Sequence, residues 1–220
     1  MFYHVQLLKG ILSPNTYLYQ LTKAEKITGL YIRFLLLMAA GAILYLAAAY
    51  TGYGMDIVSN EISNVSHQEL ESKKLFLGIG KALWGIVFSL LIFFVPAIFY
   101  WTIMDTEFAK LLVMQLFVLA VLLIEKALTL ILQISFGLER VSSPFSLGVM
   151  VQYLTDNRLL IQLAGTITLF QIWVIFFQYM NLKAFSPRSP KWILLIVIIV
   201  NLVGWIMTST IYYLEFEKLI

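Results

Sequence analysis

Residues 30–51 read LYIRFLLLMAAGAILYLAAAYT, and Arg33 is the lone charged side chain in the stretch. An α-helix rises about 1.5 Å per residue, so about 20 apolar residues cross the roughly 30 Å hydrocarbon core of a bilayer. This stretch meets that length and predicts a membrane-spanning helix. Four more stretches of the same character follow: 75–104, with Lys81 inside it and Pro96 near its end; 108–136, interrupted by Glu125 and Lys126; 159–182; and 192–213. The adjacent charges predict that the third span is irregular, either a long tilted helix or a broken one. The expected fold is an all-α integral membrane bundle of five transmembrane helices with short interfacial helices.

Composition carries the same message. Of 220 residues, 61% are hydrophobic and 12% charged, with a mean hydropathy of +0.89. Soluble domains run at about 45–50% apolar and about 25% charged, so the apolar excess here has to face lipid. The spans leave no room for a separate water-soluble catalytic domain. The absence of cysteine excludes disulfides, thiolate catalysis and cysteine-ligated metals. His4 and His67 lie far apart and outside the apolar stretches, so no histidine metal site and no cofactor are expected. The net charge of +3 comes without a clustered basic face, which argues against a nucleic-acid partner.

Five spans place the termini on opposite sides. One side then carries Lys9, Lys23, Lys26, Arg33, Lys110, Lys183, Arg188 and Lys191; the other carries Lys73, Lys74, Arg140, Arg158 and Lys218. The positive-inside rule puts the richer side in the cytoplasm. The chain then divides into a cytoplasmic interfacial segment at 1–29, the five-helix membrane domain at 30–214 and a short outside tail at 215–220. The acids Asp56, Glu61, Glu69 and Glu71 in the first outside loop lean the same way.

Between and beside the spans, local signals mark shorter pieces. Ser13 and Pro14 read as the N-cap and first residue of a helix. The following Thr16–Lys26 suits a short helix in the interface, or equally an ordinary basic flank. Ser143-Pro144 repeats the start signal, and Phe145–Leu154 is apolar but too short to span, which predicts an interfacial or re-entrant helix. Asp156 and Asn157 offer caps for the fourth span. Asn64-Val65-Ser66 matches a glycosylation sequon. The first span lies too far from Met1 for a usual signal peptide. Its Ala47-Ala48-Ala49 run, with Gly41, Gly78, Gly80 and Gly85, reads as small residues for close helix packing.

Ionisable and amide side chains inside apolar spans are the candidate functional residues. Lys81 can snorkel outward on its long stem, or reach Glu125 on the neighbouring span. Glu125 and Lys126 are adjacent, point to different sides of a helix and need separate partners. Gln171 and Asn201 lie near the centres of the fourth and fifth spans and suit interhelical hydrogen bonds, with a substrate or ion pathway as the sharper reading. The zinc-protease motif H-E-x-x-H, the nucleophile elbow G-x-S-x-G and the P-loop are all missing, and no span carries a pair of acids for metal and diphosphate binding. The chain is therefore expected not to be an enzyme.

Two stretches resemble the YIP-domain family of small five-span membrane proteins. Leu8-Lys9-Gly10-Ile11-Leu12-Ser13-Pro14, followed by Tyr17-Leu18 and a lysine pair, is similar to the family's cytoplasmic entry. Phe170-Gln171-Ile172-Trp173, Asn181-Leu182-Lys183-Ala184-Phe185-Ser186 and Ser189-Pro190-Lys191-Trp192 resemble its fourth span, short basic loop and fifth span. The chain departs from the pattern at Tyr179 and Asn181, where the family often has glycine. The resemblance implies a cytoplasmic N-terminus and brings no catalytic residues. It also implies a role beside other membrane proteins. Eukaryotic relatives act in vesicle trafficking, and some bacterial relatives are associated with ABC-type exporters. The short N-terminal region is similar to the bacterial type.

Three functions stay in competition. The first is a scaffold, assembly factor or accessory subunit bound to lipid and to another integral membrane protein, such as an ABC exporter, or to further copies of itself. The second is a transporter or permease subunit with a polar site at Glu125 and Lys126. The third is an intramembrane enzyme.

Overall fold

The computed structural model describes residues 2–7, 10, 13–51, 67–137 and 143–213. The sequon at Asn64, the acids Asp56 and Glu61, the cations Lys9, Arg140 and Lys218, and the tail at 215–220 lie outside the described residues.

The chain opens with a small unit of mixed structure. Strand β1 (Phe2–His4) pairs in parallel with β2 (Lys26–Thr28), Tyr3 opposite Ile27, and helix α1 (Pro14–Thr22) connects them. Helix α1 starts at Pro14 as expected, but Ser13 makes no side-chain cap and the helix stops at Thr22 instead of continuing to Lys26. Strand β2 takes over where Lys26, Ile27 and Thr28 extend. The chain then turns at Gly29, whose φ of +77° suits glycine, into α2 (Leu30–Tyr50).

Three long helices follow the first: α3 (His67–Met104), α4 (Phe108–Phe136) and, near the end of the chain, α8 (Pro190–Tyr213). Together with α2 these are the four described helices long and apolar enough to cross a membrane. Helix α3 runs through Pro96 without interruption. Helix α4 is continuous through Glu125 and Lys126, so of the two expected alternatives it is the long helix and not the broken one. It holds no glycine or proline, and Lys126 finds a side-chain partner without disturbing the backbone: its Nζ sits 4.9 Å from the centre of the Tyr45 ring. Helix α4 ends at Gly137, where φ is +64° and the amide returns to the Gln133 carbonyl at 2.9 Å.

The stretch 159–182 differs most from expectation. It forms two helices, α6 (Arg158–Thr166) and α7 (Leu169–Phe185), separated at Ile167 and Thr168. Ile167 closes one helix and Thr168 starts the next, its hydroxyl accepting the Gln171 amide at 3.2 Å. The backbone groups freed by the break pair with the segment after Ser143: Leu147 N donates to Ile167 O at 3.0 Å and Leu169 N to Phe145 O at 3.1 Å. Non-helical backbone persists in an apolar setting only when satisfied in this way. The same pairing holds Phe145 in a turn and Ser146 in a bridge to Thr168, so the helix expected over Phe145–Leu154 shrinks to α5 (Gly148–Gln152). Ser143-Pro144 opens a turn and not a helix. Asn157 does cap α6, its Oδ1 accepting from Leu159 N at 3.0 Å.

Helix α4 forms the axis of the fold. Every residue from Leu111 to Leu123 is buried, and 72% of its apolar window is enclosed, against 28% for α2 and 22% for α3 and α8. Helices α2, α3 and α7 pack around it. Helices α2 and α3 come closest where Gly41 faces Gly85. Gly78 lies against Leu46 and Tyr50, but Gly80 faces open space, so its expected packing role is corrected. Stacked rings fill the rest: Phe34 on Phe93 at 4.1 Å, and Trp173 on Phe177 at 4.8 Å.

Candidate functional site: polar contacts inside the bundle

Helix α7 has a polar stripe. Gln171, Gln178 and Asn181 follow at steps of seven and three, which places them along one side. Each meets a different partner. Trp205 of α8 donates to Gln171 Oε1 at 3.2 Å, and Asn201 of α8 donates to Gln178 Oε1 at 2.8 Å. The same Gln178 oxygen accepts the Tyr100 hydroxyl of α3 at 3.2 Å. Asn181 Oδ1 accepts the Tyr17 hydroxyl of α1 at 2.9 Å, and its amide donates to Phe177 O at 2.8 Å. One helix thus ties together α1 and α3 through buried hydrogen bonds and α8 through part-buried ones. Of the residues singled out from sequence, Gln171 belongs to this stripe and Asn201 is a partner of it, though the two do not meet each other.

Tyr17 shows how the N-terminal unit is attached. Its ring enters the bundle between Phe117 and Phe177, with ring centres 4.6 and 5.8 Å away. Burial holds its hydroxyl well above the usual tyrosine range. That keeps it a neutral donor, as its bond to Asn181 requires. Gly10 lies against the Phe117 ring so closely that a side chain there would collide.

A second polar group sits farther along the bundle. Lys81 of α3 and Glu125 and Lys126 of α4 are all half-buried. Helices α3 and α4 run antiparallel from the turn at 105–107. Counting from that turn at about 1.5 Å per residue, Glu125 lies about 26 Å along and Lys81 about 35 Å. Their levels therefore differ by about 9 Å along the axis, within the combined reach of two long side chains. Lys126 is turned toward α2 and the face of Tyr45.

A third set closes the end where α2, α4 and α8 begin. Arg188 bonds Asp105 at 2.8 Å, Lys110 bonds Glu107 at 2.9 Å and the Thr22 carbonyl at 3.2 Å, and Ser186 donates to Met104 O at 2.9 Å. Lys23, Lys26, Arg33, Lys183 and Lys191 occupy the same end. Lys73, Lys74 and Arg158 occupy the other.

Sequence reasoning passed over Gln178, Asn181, Tyr100 and Tyr17. The signal for the first two was available, because they share the apolar run of Gln171 at helical spacing. Gln115, at the heart of α4, is fully buried, and its amide has no hydrogen-bond partner among the described residues. Among the described residues no three His, Asp or Glu side chains gather closely enough to hold a metal ion. Compared with known protein families, characterised proteins and solved structures, the chain matches none.

Proposed function

We propose that this chain is a non-enzymatic membrane protein that crosses the bilayer five times and serves as a scaffold or accessory subunit of another integral membrane complex. One observation carries the reading: the polar side chains of α7 are turned inward onto partners within the chain. Tyr17, Tyr100, Asn201 and Trp205 occupy them. Hydrogen bonds used in this way hold helices together and occupy the amide groups of α7 within the bundle. Meanwhile α2, α3 and α8 leave most of their apolar windows uncovered, surface that lipid or a partner's helices must cover.

Helix α7 supports the fifth crossing. Its 17 residues extend about 25 Å, a few ångströms short of the hydrocarbon core. The α5–α6 hairpin completes the path at the far end, its apolar turn at Tyr153 and Leu154 almost fully exposed. The excess of cations at the Arg33 end favours that end in the cytoplasm. The resemblance to YIP-domain proteins agrees with both points and suggests an exporter of the ABC type as a partner. Purification from native expression in mild detergent should bring down a stoichiometric membrane partner. A clean monomer or homo-oligomer would sink the proposal. Reporter fusions at the two termini should report opposite sides.

The permease reading draws on the half-buried Lys81, Glu125 and Lys126. It requires that flux across reconstituted vesicles collapse when Glu125 and Lys126 are neutralised together; unchanged flux removes it.

A further inference from the structure

The buried core belongs to one end of the bundle. It runs from Leu111 to Leu123 on α4, from Val174 to Leu182 on α7 and from Ile193 to Val197 on α8. Beyond those residues α4 continues to Phe136 and α8 to Tyr213, with apolar side chains such as Leu128 and Met207 exposed. Two bodies therefore share one end. Helices α2, α3 and α4 pack on one another, and α6 and α7 both pack on α8. Helices α4 and α7 form the main seam between the two bodies.

The contacts that cross the seam are ordered along it. At the turn end, Arg188 bonds Asp105 and Ser186 donates to Met104 O. The Tyr100 hydroxyl of α3 reaches Gln178 of α7 next. Farthest from the turn among these contacts is a cluster of three rings. Phe117 of α4 and Phe177 of α7 stand 5.7 Å apart, and Tyr17 of α1 lies 4.6 Å from the first and 5.8 Å from the second. The Tyr17 hydroxyl also bonds Asn181 of α7 at 2.9 Å. One side chain thus grips both bodies. Its own unit is fastened to the α2–α4 body, because Lys110 Nζ donates to the Thr22 carbonyl at 3.2 Å and β2 runs through Gly29 into α2.

We propose that the N-terminal unit is a strap: Tyr17 holds the α6–α8 body against the α2–α4 body, and its withdrawal lets the two swing apart about the paired turns at 105–107 and 186–189. The bonds of Arg188 and Ser186 sit at the pivot, where a rotation leaves them in place. Past Leu123 the shared core takes nothing from α4, so parting the far ends uncovers little that is buried now. Lipid tails solvate such surface as well as a neighbouring helix does. Distance from the pivot supplies leverage. At about 1.5 Å per residue Phe117 lies about 14 Å from the turn and Leu128 about 30 Å, so each ångström of parting at Phe117 becomes about 2 Å at Leu128. The proposal needs only that the chain sits in a membrane, so it stands or falls separately from the scaffold reading.

The test measures distances between spin labels by pulsed electron resonance on the full chain in nanodiscs. The sequence has no cysteine, so two introduced cysteines are the only sites labelled. Leu128→Cys on α4 with Met207→Cys on α8 spans the seam, and Ile43→Cys on α2 with Leu128→Cys lies within one body; all three positions are exposed. With Tyr17 in place the seam pair should give one narrow distribution. Tyr17→Ala should add a longer population. A parting of about 2 Å at Phe117, enough to break van der Waals contact, reads as about 4 Å at Leu128. Tyr17→Phe keeps the ring without the bond and should show a smaller share of that population. Tyr19→Ala, on the exposed side of the same helix, should leave both pairs unchanged, and the within-body pair should hold in every variant. An unchanged seam distribution in Tyr17→Ala overturns the proposal. So does an equal change in Tyr19→Ala. A within-body pair that spreads as far as the seam pair overturns it too, because Tyr17 would then support the whole fold and not the seam.

Discussion

A single methyl group on Gly85 should separate two helices. A Cβ built there would lie 2.7 Å from the Gly41 carbonyl oxygen and 3.0 Å from the Ala42 Cα and the Gly41 carbonyl carbon. All three are backbone atoms of α2 and cannot rotate aside. Relief requires α2 and α3 to part by several tenths of an ångström along their crossing. In lipid the loss is serious, because tails solvate apolar side chains as well as a neighbouring helix does, and close packing is most of what joins the pair. Overpacking of this kind costs about 1–3 kcal/mol. The same substitution at Gly80, which meets nothing within 4 Å, carries no such cost. Both changes gain the same helix propensity, about 0.8–1.0 kcal/mol from Gly to Ala, so it cancels in the comparison.

Gly41→Ala falls between them. Its nearest obstacle is the Ser89 hydroxyl at 2.8 Å, with Gly85 O at 3.3 Å and a Leu123 methyl at 3.4 Å behind it. A hydroxyl can turn or be removed, so Ser89→Ala should recover part of what Gly41→Ala loses. It should recover nothing for Gly85→Ala. The assay is reversible unfolding in mixed micelles of mild detergent and dodecyl sulfate, followed by circular dichroism. The expected order of stability is Gly80→Ala above Gly41→Ala above Gly85→Ala, with about 1–3 kcal/mol between the extremes. Equal midpoints for Gly80→Ala and Gly85→Ala would refute the close crossing.

The remaining expectations concern polar groups. Tyr17→Phe strands the buried Asn181 oxygen and should cost about 1–3 kcal/mol in the same unfolding assay, while adding Asn181→Leu should restore part of the loss. Alanine at Lys81 or at Glu125 should lower the unfolding midpoint, and exchanging the two charges should restore it if the pair is formed; no recovery rules the pair out. Burial pushes the Tyr3 hydroxyl from 10.0 up to about 12, against smaller lowering effects from a Gln6 backbone contact and the Arg33 charge. The folded value lies above the unfolded one, so this contribution is complete below pH 10 and fades between pH 10 and about 12. It amounts to no more than about 2–3 kcal/mol, and melting across that window should fall less steeply in Tyr3→Phe than in wild type.

Four long helices were legible because hydropathy over twenty residues is a coarse, additive signal. The interruptions were not, and α4 and α7 show why in opposite directions. Glu125 and Lys126 look like a break because two charges in an apolar run carry a solvation cost. That cost falls on side chains, though, and side chains find partners across space, as Lys126 does on Tyr45. The backbone of α4 has no reason to open. Ile167 and Thr168 look harmless because both are apolar or nearly so. There the alternative is a backbone one: the segment 145–147 offers Ile167 and Leu169 hydrogen bonds outside the helix, and the Thr168 hydroxyl replaces a lost helical acceptor. No window of residues around 167 contains those partners. The pairing of β1 with β2 was hidden for the same reason, since its two strands of three residues each are separated by all of α1.

The polar stripe sharpens this point. Gln171 stood out in the sequence because it lies at the centre of an apolar run, and Asn201 for the same reason. Gln178 and Asn181 passed as the polar end of the same run, next to Lys183. Yet both are more deeply buried than Gln171 in the structure: Gln178 is 2% exposed and Asn181 is fully covered. What covers them comes from elsewhere in the chain. Tyr100 enters from the end of α3 and Tyr17 from α1, neither of which a helical wheel of α7 can display. Position along a span therefore estimates depth in lipid, whereas burial at this end is set by an N-terminal helix laid across the bundle. If that is right, removing residues 1–22 should expose Asn181 and loosen α7, while Gln171 and its bond to Trp205 stay unchanged. Hydrogen exchange of the α7 amides in nanodiscs checks it: protection should fall near Asn181 and hold near Gln171, and a uniform change along the helix would refute it.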